Sequence, residues 1–356
     1  MLFIILATIL VAAIAFYQVV QGLFGALIMA FLCIVSLTVS FNFYEPLAEA
    51  IHKYIPLYAE PAALLGLFVI SLIILRVLTD RYLGRNVVTG VWTNRIGGGL
   101  LGLVTGMIMV GVLTVAIQML PFGPSVLGYR PFDDDLKSDH GIAPFCPDDF
   151  TLALAKVFSR GSLMTSPENP FHRTHDNLKL ELFCARNDAG KGGRSDAAPE
   201  AMTVSGAYAP DDSGWVKDVP DNPLLQGEGI KKVVVIRAAI DQSARDGDGW
   251  WRLPASQFRL VDDDGNSYYP VAYLVKSGGG LECVQAPLKD SVPQLASLTV
   301  ESDIKDARLS LDWVYRIPEG ASPAEIIFRR SAHAPIRALD KRSPEPYGAL
   351  DRAPRR

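Results

Sequence analysis

His172 and His175 are three residues apart, which places two imidazoles on one face if the segment is helical. With Cys146 or Cys184 they could hold a metal ion. Asn169 and Pro170 make the segment read as a loop, and two imidazoles alone bind weakly, so surface or capping histidines are expected and no cofactor. The run Asp262-Asp263-Asp264-Gly265-Asn266 has the carboxylate density of a calcium loop but lacks the distant bidentate glutamate. Its glycine and asparagine tolerate positive φ, so it reads as a hairpin turn. Trp250-Trp251 has the shape of a sugar-stacking platform, but core or rim packing explains it more simply. No Gly-x-Ser-x-Gly occurs in the polar part of the chain, and His140, His172, His175 and His333 lie in no setting that suggests a general base. The chain is not expected to be an enzyme.

The elements that must carry these residues are set by a split composition. The chain has 356 residues with 34 basic and 38 acidic groups. Residues 1–129 hold only Glu45, Glu49, Lys53, Glu60, Arg76, Asp80, Arg81, Arg85 and Arg95, and none of these falls before Glu45. A helix needs about 20 apolar residues to cross a bilayer, so the uncharged opening predicts two spans with a turn near Tyr17–Gly22. Pro61–Leu78 and Ile96–Leu120 predict two more. The expected spans are about 2–19, 22–42, 61–78 and 97–120. Phe43–Glu60 is too charged to cross, and Leu47, Ile51, Tyr54 and Ile55 recur at helical spacing, as in a short helix lying at the interface.

Loop charge orients the spans. Thr79–Arg95 carries Arg81, Arg85 and Arg95 against Asp80, whereas Asn42–Glu60 carries three glutamates and one lysine. Arginine-rich loops stay in the cytoplasm. These arginines are therefore expected as cytoplasmic anchors, with both termini on the far side of an inner membrane. A cleaved signal peptide over residues 1–15 is the rival reading, since Ala13-Ile14-Ala15 resembles a cleavage site. No basic residue precedes the apolar run, which argues against it.

In Asn94-Arg95-Ile96-Gly97-Gly98-Gly99-Leu100-Leu101-Gly102-Leu103-Val104-Thr105-Gly106, Gly98, Gly102 and Gly106 share one helical face. In lipid, small residues let helices approach closely. Gly22, Gly25 and Gly66 are the expected partner surfaces, and Arg95 sits at the mouth of the span. This segment resembles the colicin V production protein family over about residues 1–122. Arg95, Gly98, Gly102 and Gly106 match that family's Asp-Arg-x-x-Gly-like signature, with Asn94 in the acidic position. Its Gly-x-x-Arg-Gly loop corresponds to Gln21-Gly22-Leu23-Phe24-Gly25, which lacks the arginine. The resemblance implies a bacterial inner-membrane protein linked to toxin production or export and to envelope upkeep.

The remaining residues are mildly acidic, with nothing basic enough for nucleic acid outside the extreme C-terminus. Residues 123–200 read as an exit segment, a short helix at Asp149–Leu163 burying Leu152, Ala155, Val157 and Phe158, and a disordered linker at Ala189–Glu200. Three cysteines there permit one disulfide, with Cys146–Cys184 the first pairing to test. From Met202 the periodicity becomes two. Leu309, Leu311, Trp313, Tyr315 and Ile317 alternate with Ser310, Asp312, Val314 and Arg316, which predicts a strand with one buried and one mostly wet face. Further strands read at Lys232–Asp241, Gln257–Val261, Ser267–Val275, Leu281–Gln285, Ser297–Glu301 and Ala324–Arg329. The expected architecture is four transmembrane helices followed by an all-β immunoglobulin-like sandwich over 201–331 and a disordered basic tail over 332–356. The expected partners are the lipid bilayer and an envelope protein or a second copy.

Overall fold

The computed structural model describes residues 2–82, 90–120, 125–132, 146–160, 171–187, 194–210, 229–246, 251–277, 280–285, 288–289, 292–293, 297–300 and 308–342. The chain divides into two compact units, one of residues 1–131 and 139–172, the other of residues 132–138 and 173–356.

The first unit is helical. It contains α1 (Leu2–Gln21), α2 (Leu23–His52), α3 (Ala59–Tyr82), α4 (Val91–Met119) and α5 (Pro147–Ser159). The first four are long and apolar enough to cross a membrane. Their outward faces are greasy: Ile5, Ile9 and Phe16 of α1, Phe31 of α2, Ile70, Ile73 and Val77 of α3, and Ile96 and Leu100 of α4 are exposed. Such a surface suits the acyl chains of a bilayer. The hydroxyls of Thr38, Ser40, Ser71, Thr105 and Thr114 donate to carbonyls three or four residues back in their own helices. No water is then needed to satisfy them.

Residues 43–52 depart from expectation. They do not form a separate surface helix, because α2 runs unbroken through Pro46 to His52. Tyr44 and Ala48 prolong the buried stripe of Leu37 and Phe41, so packing outweighs the backbone hydrogen bond that proline removes. A single turn of 3₁₀ helix at Pro56–Tyr58 then leads into α3. Helix α5 begins at Pro147, and it buries Asp148, Thr151, Leu152, Ala155 and Ser159. Val157, expected on the buried side, is 61% exposed.

The short α6 (Phe171–Thr174) comes next in the chain. The second unit opens with α7 (Leu178–Asn187) and continues as strands. These are β1 (Met202–Tyr208), β2 (Lys231–Asp241), β3 (Trp251–Pro254), β4 (Phe258–Asp262), β5 (Ser267–Tyr268), β6 (Ala272–Ser277), β7 (Gly280–Gln285), β8 (Leu288–Lys289), β9 (Val292–Pro293), β10 (Ser297–Val300), β11 (Arg308–Pro318), β12 (Pro323–Phe328) and β13 (Ala332–Pro335). One antiparallel sheet has the order β1-β2-β11-β6-β7 and another β13-β12-β4-β5, with β10-β3 and β8-β9 as separate pairs. Val234, Ile236, Trp313 and Tyr315 of the first sheet meet Phe258, Leu260, Ile326 and Phe328 of the second in one core. The Phe258 ring lies 4.6 Å from Trp313 and 4.5 Å from Phe328. This all-β sandwich is of the kind the alternation predicts, and an immunoglobulin-like fold fits it.

Three details differ from the sequence reading. The second face of β11 is dry at its centre, since Val314 and Asp312 are both buried. Val314 joins Val233, Val235, Val271, Ala272 and Leu274 in a second apolar cluster. The expected linker reaches the core: Ala197 is fully buried, and its N–H and carbonyl both bond the Ser331 hydroxyl, at 3.2 and 2.6 Å. The expected tail also starts folded. Residues 332–335 form β13, and Asp340 bridges β1 through Ala207 and Ala209. Residues 343–356 lie outside the described residues.

Candidate functional site

The glycine face of α4 meets α1, not α2 or α3. A Cβ on Gly98 would lie 2.9 Å from the Gln18 carbonyl oxygen, and one on Gly102 would lie 2.9 Å from the Ala15 Cα. At Gly106 it would lie 3.1 Å from the Val11 carbonyl oxygen. The two helices thus run antiparallel with backbones in near contact, and only glycine fits at Gly98 and Gly102. The other suggested partner glycines sit elsewhere. Gly25 faces Gln21, and a Cβ on Gly66 would enter open space.

Gly22 joins this arrangement as a hinge. It is the single residue between α1 and α2, with φ +87°, a conformation that L side chains rarely adopt. The first turn of α2 has orphan N–H donors. Asn94 of α4 supplies an acceptor: Leu23 N–H donates to its Oδ1 at 2.6 Å. The side chain in the position where the resembled family has an acid therefore ties α4 to the start of α2, beside the bend at Gly22. Arg95 and Arg81 are exposed near this end, and Arg85 lies outside the described residues.

At the other end of α4 a carboxylate is buried. Asp148, in the first turn of α5, is 1% exposed. Its Oδ2 accepts from Gln118 Nε2 at 3.1 Å and from the Tyr129 hydroxyl at 2.5 Å. The helix N-terminus favours the negative charge. Burial first, then Asp148, pushes the Tyr129 phenol upward, so it stays a donor. Gly111 of α4 touches Pro147 and Thr151 of α5, and the Thr151 hydroxyl donates to the Met107 carbonyl at 3.3 Å. The sequence reading missed this contact, for which Gly111 and Asp148 were the only local signals.

The residues first weighed for chemistry take structural places. His175 Nδ1 pairs with Glu181 Oε2 at 2.7 Å, and Arg259 holds the other oxygen at 2.9 Å while donating to the Thr174 carbonyl. Asp262 closes its turn by accepting from the backbone N–H groups of Asp264 and Asn266 and from the Tyr268 hydroxyl. Gly265 there has φ +86°, as the hairpin reading expects. Trp251 is 1% exposed in the core, and Trp250 lies outside the described residues. Cys146 and Cys184 are thiols and form no disulfide. Among the described residues no group of three or more histidine, cysteine, aspartate or glutamate side chains could hold a metal.

Buried ion pairs hold the sandwich. Arg237 and Asp312 are directly opposite in the β2–β11 register, and Arg237 Nε and Nη2 donate to the two Asp312 carboxylate oxygens at 2.7 and 2.6 Å. Arg329 is fully buried, donating to Gln257, to the Ala244 and Arg252 carbonyls and to Asp246. Burial pulls its guanidinium down to about 10, still far enough above neutrality to keep the charge. Such pairs are poor evidence of catalysis when every member is already satisfied from within the fold.

No curated protein and no solved structure matches the chain. Residues 3–127 match the family model described as Colicin V production protein, so the membrane part of the chain is similar to that family.

Proposed function

We propose that this protein is a non-enzymatic scaffold of the bacterial inner membrane. Its four helices anchor a sandwich that faces the extracytoplasmic side and binds or senses an envelope partner there. The role that follows is an accessory one in toxin production or export and in envelope maintenance. The observation that carries this reading is the closed α1–α4 seam. Backbones touch at Gly98 and Gly102, and the acidic and basic side chains of the four helices are confined to their end segments. A transport path needs ionisable or wet groups at mid-depth. The arginines beside Asp80 support the orientation with the sandwich outside.

A second reading, an export component with α4 lining a path, draws on Gln18 and Ser36. Both are buried between helices, and Gln18 Oε1 and Ser36 Oγ have no hydrogen-bond partner among the described residues.

The test has two arms. A photo-reactive residue at Ile230, which is 78% exposed at the edge of the sandwich, is irradiated in cells. Purified full-length protein in liposomes is assayed for solute flux. A scaffold gives a discrete adduct with an envelope protein and no flux. Flux that is lost in a folded Gly102→Leu protein overturns the scaffold in favour of transport. A C-terminal reporter active only in the cytosol overturns the orientation.

A further inference from the structure

Helix α5 lies beyond the residues that match the family, and it buries polar groups while leaving large apolar side chains outside. Its buried side carries Asp148, Thr151 and Ser159 together with Leu152 and Ala155. Ala153 and Val157 are exposed on the other side, and Phe150, Leu154 and Phe158 are partly so, as are the charged Asp149 and Lys156. In water the hydrophobic effect drives such residues inward.

Its depth is fixed by what it touches. The contacts of Thr151 and Pro147 are with Met107 and Gly111 of α4. Those two residues lie in the stretch of α4 after Arg95, which contains no charged side chain. They also lie level with the part of α1 that precedes Val11, because Gly102 meets Ala15 and Gly106 meets Val11 in antiparallel register. Helix α1 has no charged residue at any position. The contact therefore falls within the apolar layer.

We propose that α5 is a lipid-embedded helix that folds back into the bilayer against α4, with Phe150, Ala153, Leu154 and Val157 in contact with acyl chains. The inward polar groups then make sense. In a medium that offers no hydrogen bonds each must be satisfied by protein, and Asp148 bonds Gln118 and Tyr129 while Thr151 bonds the Met107 carbonyl. This inference rests only on the four helices crossing a bilayer and is independent of the scaffold reading.

The experiment uses the full chain with a photo-reactive phenylalanine analogue at Val157, in liposomes of phosphatidylethanolamine and phosphatidylglycerol. Intact-mass analysis follows irradiation. The same analogue at Ile74, an exposed site on α3, reports on ordinary lipid contact. A phospholipid adduct at 157 in yield similar to that at 74 is expected. An adduct at 74 alone, or a crosslink from 157 to the sandwich or to a second copy, overturns the proposal. If the analogue prevents folding, a fluorophore on Val157→Cys, in a chain whose four native cysteines are replaced by serine or alanine, answers the question. Quenching by brominated lipid and not by iodide is expected, and quenching by iodide overturns the proposal.

Discussion

The side-chain oxygen of Asn94 caps Leu23, so the first turn of α4 closes the first turn of α2 across the bend at Gly22. Removing that acceptor leaves an orphan N–H in a membrane helix. Asn94→Ala is expected to lower stability by about 1 kcal/mol, the usual worth of an N-cap acceptor. Asn94→Asp keeps an oxygen in place and is expected to retain most of it. Thermal unfolding in detergent separates the two variants. An Asn94→Ala protein as stable as the parent would show that the contact contributes nothing.

The α1–α4 seam predicts a graded response to added bulk. Gly102→Ala places a methyl 2.9 Å from the Ala15 Cα and Gly102→Leu adds more, whereas Gly66→Ala meets nothing. Overpacking costs typically 1–3 kcal/mol. The expected order of monodisperse recovery on size exclusion is Gly66→Ala equal to the parent, Gly102→Ala reduced and Gly102→Leu lowest. A Gly102→Leu protein as stable as the parent would mean that the helices are not in close contact.

In the sandwich, Arg329 is matched to Asp246, Gln257 and two carbonyls. Leaving a buried charge without its partner costs about 3–5 kcal/mol. Asp246→Ala is expected to fall in that range by denaturant unfolding of the full chain. Tyr129→Phe, in the other unit, should lose only about 0.5–1.5 kcal/mol as a single hydrogen bond.

Tyrosine ionisation sets an alkaline limit. Burial raises the phenols of Tyr268, Tyr269 and Tyr315 above their ordinary value of 10.0, with the bond to Asp262 adding to the effect at Tyr268. The folded state then holds protons that the unfolded state releases, so this contribution to stability is full below pH 10 and falls as pH rises beyond it. Absorbance of phenolate should show these three groups titrating together with unfolding. Separate ionisation in a folded sandwich would contradict their burial.

The cysteines offer a simple check. All four are thiols, so chain unfolded without reductant should take up four equivalents of alkylating agent. Fewer would reveal a disulfide.

Much of this organisation was legible along the chain. The absence of charge before Glu45 and the alternation from Leu309 to Ile317 are local patterns, and each is imposed by the medium on one side of its element. The continuation of α2 through Pro46 was not legible. The local sequence reads as a charged surface segment, yet Tyr44 and Ala48 find cover from neighbouring helices. The same holds for Ala197 and Ala201, small residues in a polar stretch that only the folded sandwich places in its core.

By itself, then, the sequence determined which segments are apolar enough to cross a membrane, which strands alternate, and that Gly98, Gly102 and Gly106 share a face. Burial periodicity and helical geometry are properties of short segments, so a single chain suffices to reveal them. The tertiary structure decided which helix fills that glycine face, that Asn94 caps α2, and that Asp148 is drawn against Gln118 and Tyr129. Those pairings join residues far apart in the chain, and only the simultaneous packing of every element selects among the many partners each could have had.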